Sequence, residues 1–91
     1  MVTFCYKFLG GDKYEMKNGI VWSNAIHIIK DAINEILLNM NIVDDYSNFR
    51  FIVRGISIDY NDDILQYNLE NETCVMIVYK KIVDKQFQIE I

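Results

Sequence analysis

The sequence has no proline, only two cysteines and a single histidine among its 91 residues. The two cysteines show no metal-ligand spacing, so the sequence gives no indication of a zinc site or a disulfide framework. No apolar run approaches the roughly 20 residues that a membrane-spanning helix needs. The amino-terminal segment has Lys7 inside its apolar run and no small-residue cleavage site, so we expect no signal peptide. These absences predict a reduced, cytoplasmic protein without cofactor, metal or inserted membrane segment.

A block of basic residues is missing as well, and the formal net charge is −4. Because phosphate binding relies on clustered lysine and arginine, nucleic acid is not an expected partner. Apolar residues make up 52% of the chain, which excludes a disordered protein. The length suits one domain with one core, which we place at residues 1–81. Residues 82–91 form a C-terminal tail, and its alternating end from Gln86 to Ile91 is typical of an extra strand.

Two alternating segments near the amino terminus predict a hairpin. The segment Val2–Phe8 alternates between apolar and mostly polar positions, as a half-buried strand does. Gly10-Gly11 supplies turn residues, and Lys13–Lys17 alternates again with Tyr14 and Met16 on the inner side.

Apolar residues then recur at helical spacing from Ile26 to Met40. We expect a helix that begins near Ser23, with Ser23 or Asn24 as its N-cap, and ends near Met40. Asn39 and Asn41 are plausible stop residues. The residues expected in the core of this and the neighbouring elements are Phe4, Tyr6, Tyr14, Met16, Ile26, Ile29, Ile33, Phe51, Ile58, Ile64, Leu69, Val75 and Ile77.

The second half of the chain contains three short motifs at a distinctive spacing. Phe51-Ile52-Val53 is an apolar run that Arg54-Gly55 closes as a turn. Tyr67-Asn68-Leu69 lies in an irregular loop, and Cys74–Tyr79 is apolar throughout, as a central strand is. The order is therefore strand, short strand, loop and central strand.

These motifs resemble the C-terminal half of ubiquitin in type and in spacing. Arg50–Gly55 lies where ubiquitin has a strand and a turn, Tyr67–Leu69 matches its Tyr-Asn-Ile, and Val75, Ile77 and Val78 match apolar positions of its last strand. The resemblance implies an α+β, ubiquitin-like β-grasp fold of ββαββ order. In that fold one helix covers one face of a mixed sheet, and the first and last strands are parallel neighbours at its centre.

Two features look more like the YukD/EsaB group of small ubiquitin-like proteins. The predicted helix is longer than that of ubiquitin, and the proline pair that follows ubiquitin's helix is absent. This similarity implies an alternative function, as a cytosolic accessory component of a bacterial type VII (WXG100) secretion system.

The resemblance also implies a protein-binding surface on the sheet face that the helix leaves uncovered. Alternation directs Ile52, Met76 and Val78 away from the helix, and Leu9 stands at the hairpin turn. These residues match the apolar surface through which ubiquitin meets its receptors, and the matching basic positions beside it are Arg50 and Lys80. Two other interpretations stay open, because the tail could fold over this face or a second copy could form a homodimer through it.

The remaining polar residues give no indication of an enzyme. His27 has no nucleophile or carboxylate partner in a recognisable motif. Cys5 and Cys74 fall on strands and are expected to stay reduced. The chain continues to Ile91 and lacks the Gly-Gly end of the modifiers and sulfur carriers of this fold. A role as a modifier or sulfur carrier is therefore the least supported of the three hypotheses. We therefore predict a non-catalytic protein-interaction module with a protein partner.

Overall fold

The computed structural model describes residues 2–71 and 74–80. Within them the helix and strands are β1 Val2–Leu9, β2 Lys17–Ser23, α1 Ile29–Asn39, β3 Phe49–Val53, β4 Ile56–Ser57 and β5 Val75–Tyr79. The strands form one sheet in the order β2-β1-β5-β3-β4. β1 pairs with β5 in parallel, and the other pairings are antiparallel. The predicted α+β architecture and the parallel pairing of the first and last strands are confirmed, whereas the predicted tail lies outside the described residues.

The core lies between α1 and the face of the sheet that β1 presents to it. Val2, Phe4, Tyr6 and Phe8 are buried, while the residues between them are exposed, as the alternation predicts. The rings of Phe4 and Phe51 meet edge to face with centroids 5.8 Å apart. Aromatic pairs in this geometry add packing energy beyond their buried area.

Most of the predicted core residues are buried, and the exceptions cluster near the first turn and after β4. Tyr14 and Ile58 are only partly buried against the core. Met16 is 66% exposed, so its assignment to the core is wrong.

The second strand is not where the sequence analysis placed it. Residues 11–14 form a turn, in which the Gly10 carbonyl accepts from the amides of Lys13 and Tyr14 at 3.2 and 3.3 Å. Gly10 is required there because an added Cβ would lie 2.4 Å from the Cβ of Tyr14. The strand that pairs with β1 starts at Lys17 and includes Gly19, which stands opposite Tyr6.

The helix begins later than predicted, and neither Ser23 nor Asn24 caps it. Its N-cap is Ile28, which offers no side-chain hydrogen bond. Instead, the backbone amide of Ile29 donates to the carbonyl of Asp62 at 3.1 Å, and that of Lys30 donates to the carbonyl of Tyr60 at 2.9 Å. Free amides of a first helical turn need acceptors, and here the loop after β4 provides them.

The end of α1 is where the sequence predicted it, because Asn41 takes a left-handed conformation. Its φ is 57°, the amide of Asn41 donates to the Leu38 carbonyl, and the amide of Ile42 donates to the Leu37 carbonyl. This pair of hydrogen bonds is the Schellman motif that terminates many helices.

We expect Asn41→Ala to lower the free energy of unfolding by about 1 kcal/mol, since a Cβ without a local polar side chain disfavours positive φ. Asn41→Gly is the matched control and should preserve or slightly raise stability. Urea unfolding of the three proteins checks this. Equal stability of the alanine and glycine variants would contradict it.

Candidate functional site

The candidate site is the face of the sheet that points away from α1, which we call the open face. It is defined by alternation and register. Thr3, Cys5, Lys7 and Leu9 of β1 alternate with the buried residues of that strand, and their cross-strand neighbours share the same face.

Four apolar residues on this face form what we call the apolar patch. Leu9 stands in register with Val78, and Met76 stands in register with Ile52. Three strands that are distant in sequence thus bring these side chains together, as the sequence analysis expected. Leu9, Ile52 and Met76 are half-buried, so part of each side chain remains available to a partner.

Val78 differs from the other three members of the apolar patch. It is only 9% exposed, although it is not part of the core cluster beneath α1. The expectation that it is an exposed side chain is therefore wrong. Val78 therefore offers little surface to a partner.

The two predicted basic residues are separated by the structure. Arg50 is exposed and stands in register with Val78, beside the apolar patch. The ammonium of Lys80, in contrast, lies 5.4 Å from the centroid of the Tyr60 ring. The hydroxyl of Tyr60 donates to the carbonyl of Phe49, the first residue of β3. Lys80 is thus held at the end of the sheet, and of the two predicted basic residues only Arg50 flanks the patch.

Two further apolar residues of the open face were missed in the sequence analysis. Ile20 stands opposite Cys5, and Trp22 stands opposite Thr3, on the edge strand β2. Ile20 is 68% exposed and Trp22 is 71% exposed. Ile20 and Trp22 alternate with buried Val21, and this pattern is the indication of a strand that the sequence contains.

The open face is basic, although the chain as a whole is acidic. Its charged side chains in the described strands are Lys7, in register with Met76, and Arg50, and both are exposed. No carboxylate stands on the open side of β1, β2, β3 or the described part of β5. The formal charge of −4 is therefore concentrated elsewhere.

Among the described carboxylates, Asp44 has the pKa that departs most from its usual value, and it lies in a hydrogen-bond network at the end of the sheet. Asp44 accepts hydrogen bonds from the Tyr14 hydroxyl at 2.6 Å, the Asn48 amide at 2.7 Å and the Asp45 backbone amide at 2.7 Å. Lys13 Nζ lies 3.7 Å from Oδ2 of Asp44. Burial by itself would raise the pKa of Asp44, but these donors and the charge of Lys13 outweigh burial and lower that pKa to about 2.

This network connects the β1–β2 turn to the loop after α1. Lys13 also lies over the rings of Tyr14 and Tyr79, 5.4 and 5.6 Å from their centroids. The low pKa of Asp44 is therefore explained by its contacts within this network.

Other kinds of site find no support in the part of the chain that the structure describes. No group of three or more His, Cys, Asp or Glu residues there is arranged to hold a metal ion. No described helix has the length and apolar character needed to cross a membrane. His27 is exposed, and its carbonyl accepts from the Ile64 amide at 3.0 Å. That the protein is not an enzyme stays a prediction.

Neither a scan against protein-family models nor a search of curated proteins gives a match to this chain.

Proposed function

We propose that the protein is a non-catalytic, ubiquitin-like interaction module of the β-grasp type that binds a protein partner through its open face. The strand order β2-β1-β5-β3-β4 around a parallel central pair, with α1 on one side, supports the β-grasp interpretation. A fold does not name a function. Binding is therefore inferred from the chemistry of the surface.

The observation that carries the proposal is an apolar patch beside two cations on an acidic chain. Interfaces commonly combine an apolar centre with a polar rim. Here the centre consists of Leu9, Ile52 and Met76, and the rim contains Lys7 and Arg50. Such a surface fits a protein partner with an apolar centre and acidic side chains around it, since complementary charges steer association.

The secretion alternative loses one of its two supports. It relied partly on a helix longer than that of ubiquitin, but α1 spans only the 11 residues Ile29–Asn39. The absence of proline after the helix remains consistent with it. The interaction module is therefore the broader and better supported function.

The test is affinity capture from a cytoplasmic extract with matched variants, followed by titration of each captured protein in purified form. Ile52→Glu places a charge in the apolar patch and should weaken binding by at least about tenfold. Leu38→Glu is the control, because Leu38 is 71% exposed on α1, on the other side of the sheet. Lys7→Glu should weaken binding and change its salt dependence, whereas Lys17→Glu, on the helix side of β2, should not.

Trp22 gives an independent readout, because it is the single tryptophan and is 71% exposed on the open face. A partner that covers this face should shift its fluorescence to shorter wavelength. Binding that leaves the emission of Trp22 unchanged, and that is equally strong in the Ile52→Glu and Leu38→Glu variants, would overturn the proposal.

A further inference from the structure

The two cysteines of the chain are brought together by the parallel pairing of the central strands. Tyr6 of β1 stands in register with Val75 of β5. One residue earlier along each strand direction are Cys5 and Cys74, which the register therefore places side by side. Both are free and exposed.

The two thiols share the open face. Cys5 alternates with buried Phe4 and Tyr6, and Cys74 directly precedes buried Val75. The pKa of the Cys74 thiol is raised by partial burial and by the neighbouring Cys5, while Lys7 acts in the opposite direction. The effect of Cys5 on the Cys74 pKa agrees with the register, which places the two residues side by side.

The spacing of the strands also suits a covalent bond. Neighbouring strands lie about 4.8 Å apart, and the Cα atoms of disulfide-bonded cysteines lie about 4.4–6.8 Å apart. Disulfides that are exposed to solvent are reduced more readily than buried structural ones. A bond here would therefore be reversible.

We propose that Cys5 and Cys74 form a dithiol site that reacts with low-molecular-mass disulfides, such as oxidised glutathione, and closes to an intramolecular disulfide. In the first step the thiolate of one cysteine attacks a sulfur of the small disulfide and releases one small thiol. In the second step the other cysteine attacks the protein-bound sulfur of the mixed disulfide and releases the second small thiol. The two protein thiols are oxidised and the small disulfide is reduced to two thiols, so atoms and electrons balance.

The bond would lie within the open face, between Ile20 on β2 and the apolar patch. Cys5 stands opposite Ile20, and Cys74 precedes Met76 by two residues on the same side. The site stands independently of the proposed binding function, because its chemistry needs only the two thiols and a disulfide.

The experiment uses the full chain, oxidised glutathione and intact-mass measurement. The wild type should lose both free thiols and become about 2 Da lighter without a retained adduct, because the second thiol expels the glutathione. Cys5→Ser and Cys74→Ser are the matched controls, and each should keep one glutathione on its remaining thiol. Dithiothreitol should restore the starting mass of all three proteins.

A second measurement separates a native site from chemistry in the unfolded chain. The closed form should melt at a temperature about 5 °C or more above that of the reduced form, because the bond joins distant parts of the chain. Phenylarsine oxide, which needs two adjacent thiols, should bind the reduced native protein once and neither serine variant. A wild type that retains two glutathiones, or that forms covalent dimers instead, would overturn the proposal.

Discussion

Replacing Ile77 by alanine should lower the free energy of unfolding by about 2–5 kcal/mol, because the change leaves a cavity in a closely packed core. Ile77 is fully buried in β5, between β1 and β3, and stands in register with Phe51. Urea unfolding followed by far-ultraviolet circular dichroism measures the loss.

Two other isoleucines provide controls with the same change of side chain. Ile52 is half-buried in the apolar patch, and Ile20 is 68% exposed on β2. We expect Ile52→Ala to cost about 1 kcal/mol and Ile20→Ala less than about 0.5 kcal/mol, since side chains that bury less area lose less on truncation. If Ile52→Ala were as destabilising as Ile77→Ala, the open face would belong to the interior and the proposed binding surface would not exist.

Asp44→Asn should lower the free energy of unfolding by about 2.5 kcal/mol at pH 7 and by less than about 0.5 kcal/mol at pH 2. The carboxylate is 9% exposed and has a pKa of about 2 in the folded protein. An unfolded aspartate has a pKa of about 3.9, and the difference corresponds to about 2.6 kcal/mol. Because the folded pKa is the lower one, this contribution is complete above about pH 4 and is lost as pH falls through about pH 2.

The matched control for this prediction is Glu15→Gln. Glu15 is an exposed acid next to Tyr14, a member of the Asp44 network, and its replacement makes the same change in charge. Its effect should stay within about 0.5 kcal/mol at both pH values. Urea unfolding curves at pH 7 and pH 2 give the comparison. A loss for Asp44→Asn that is equally large at both pH values would mean that packing, and not charge, accounts for the role of Asp44.

The order of the elements could be predicted because the central strands carry their own patterns. β1 alternates over its whole length, and β5 is apolar at every position between Val75 and Tyr79. The position of β2 could not be predicted, because Asn18-Gly19 has the composition of a turn. Gly19 belongs to the strand for a tertiary reason, since a Cβ there would lie 2.4 Å from the hydroxyl of Tyr6.

The first residue of α1 could not be predicted from the local sequence either. Ile26 fits the helical stripe and is buried, but it precedes the helix. The acceptors for the first amides are backbone carbonyls of Tyr60 and Asp62, some thirty residues later. Backbone carbonyls are present in every sequence, so nothing in the residue types around Ser23 or Asn24 could have predicted this arrangement.

The candidate site was predictable where it depended on β1, β3 and β5, and not elsewhere. Alternation within these strands, together with their pairing, places Leu9, Ile52 and Met76 on one face. Trp22 was missed because the strand that carries it had been placed too early. The burial of Val78 depends on packing around it, which the alternation of a single strand does not report.

The central position of β5 has a consequence for the order in which the protein can be made and folded. β5 lies between β1 and β3, yet it is the last strand of the described chain. During synthesis α1 and the other four strands are made before the strand that joins the two halves of the sheet. Contacts between distant parts of a chain also form slowly. A nascent chain that stops before Val75 leaves Phe4 and Phe51 without β5 between their strands. Such incomplete chains expose apolar side chains that chaperones and proteases recognise.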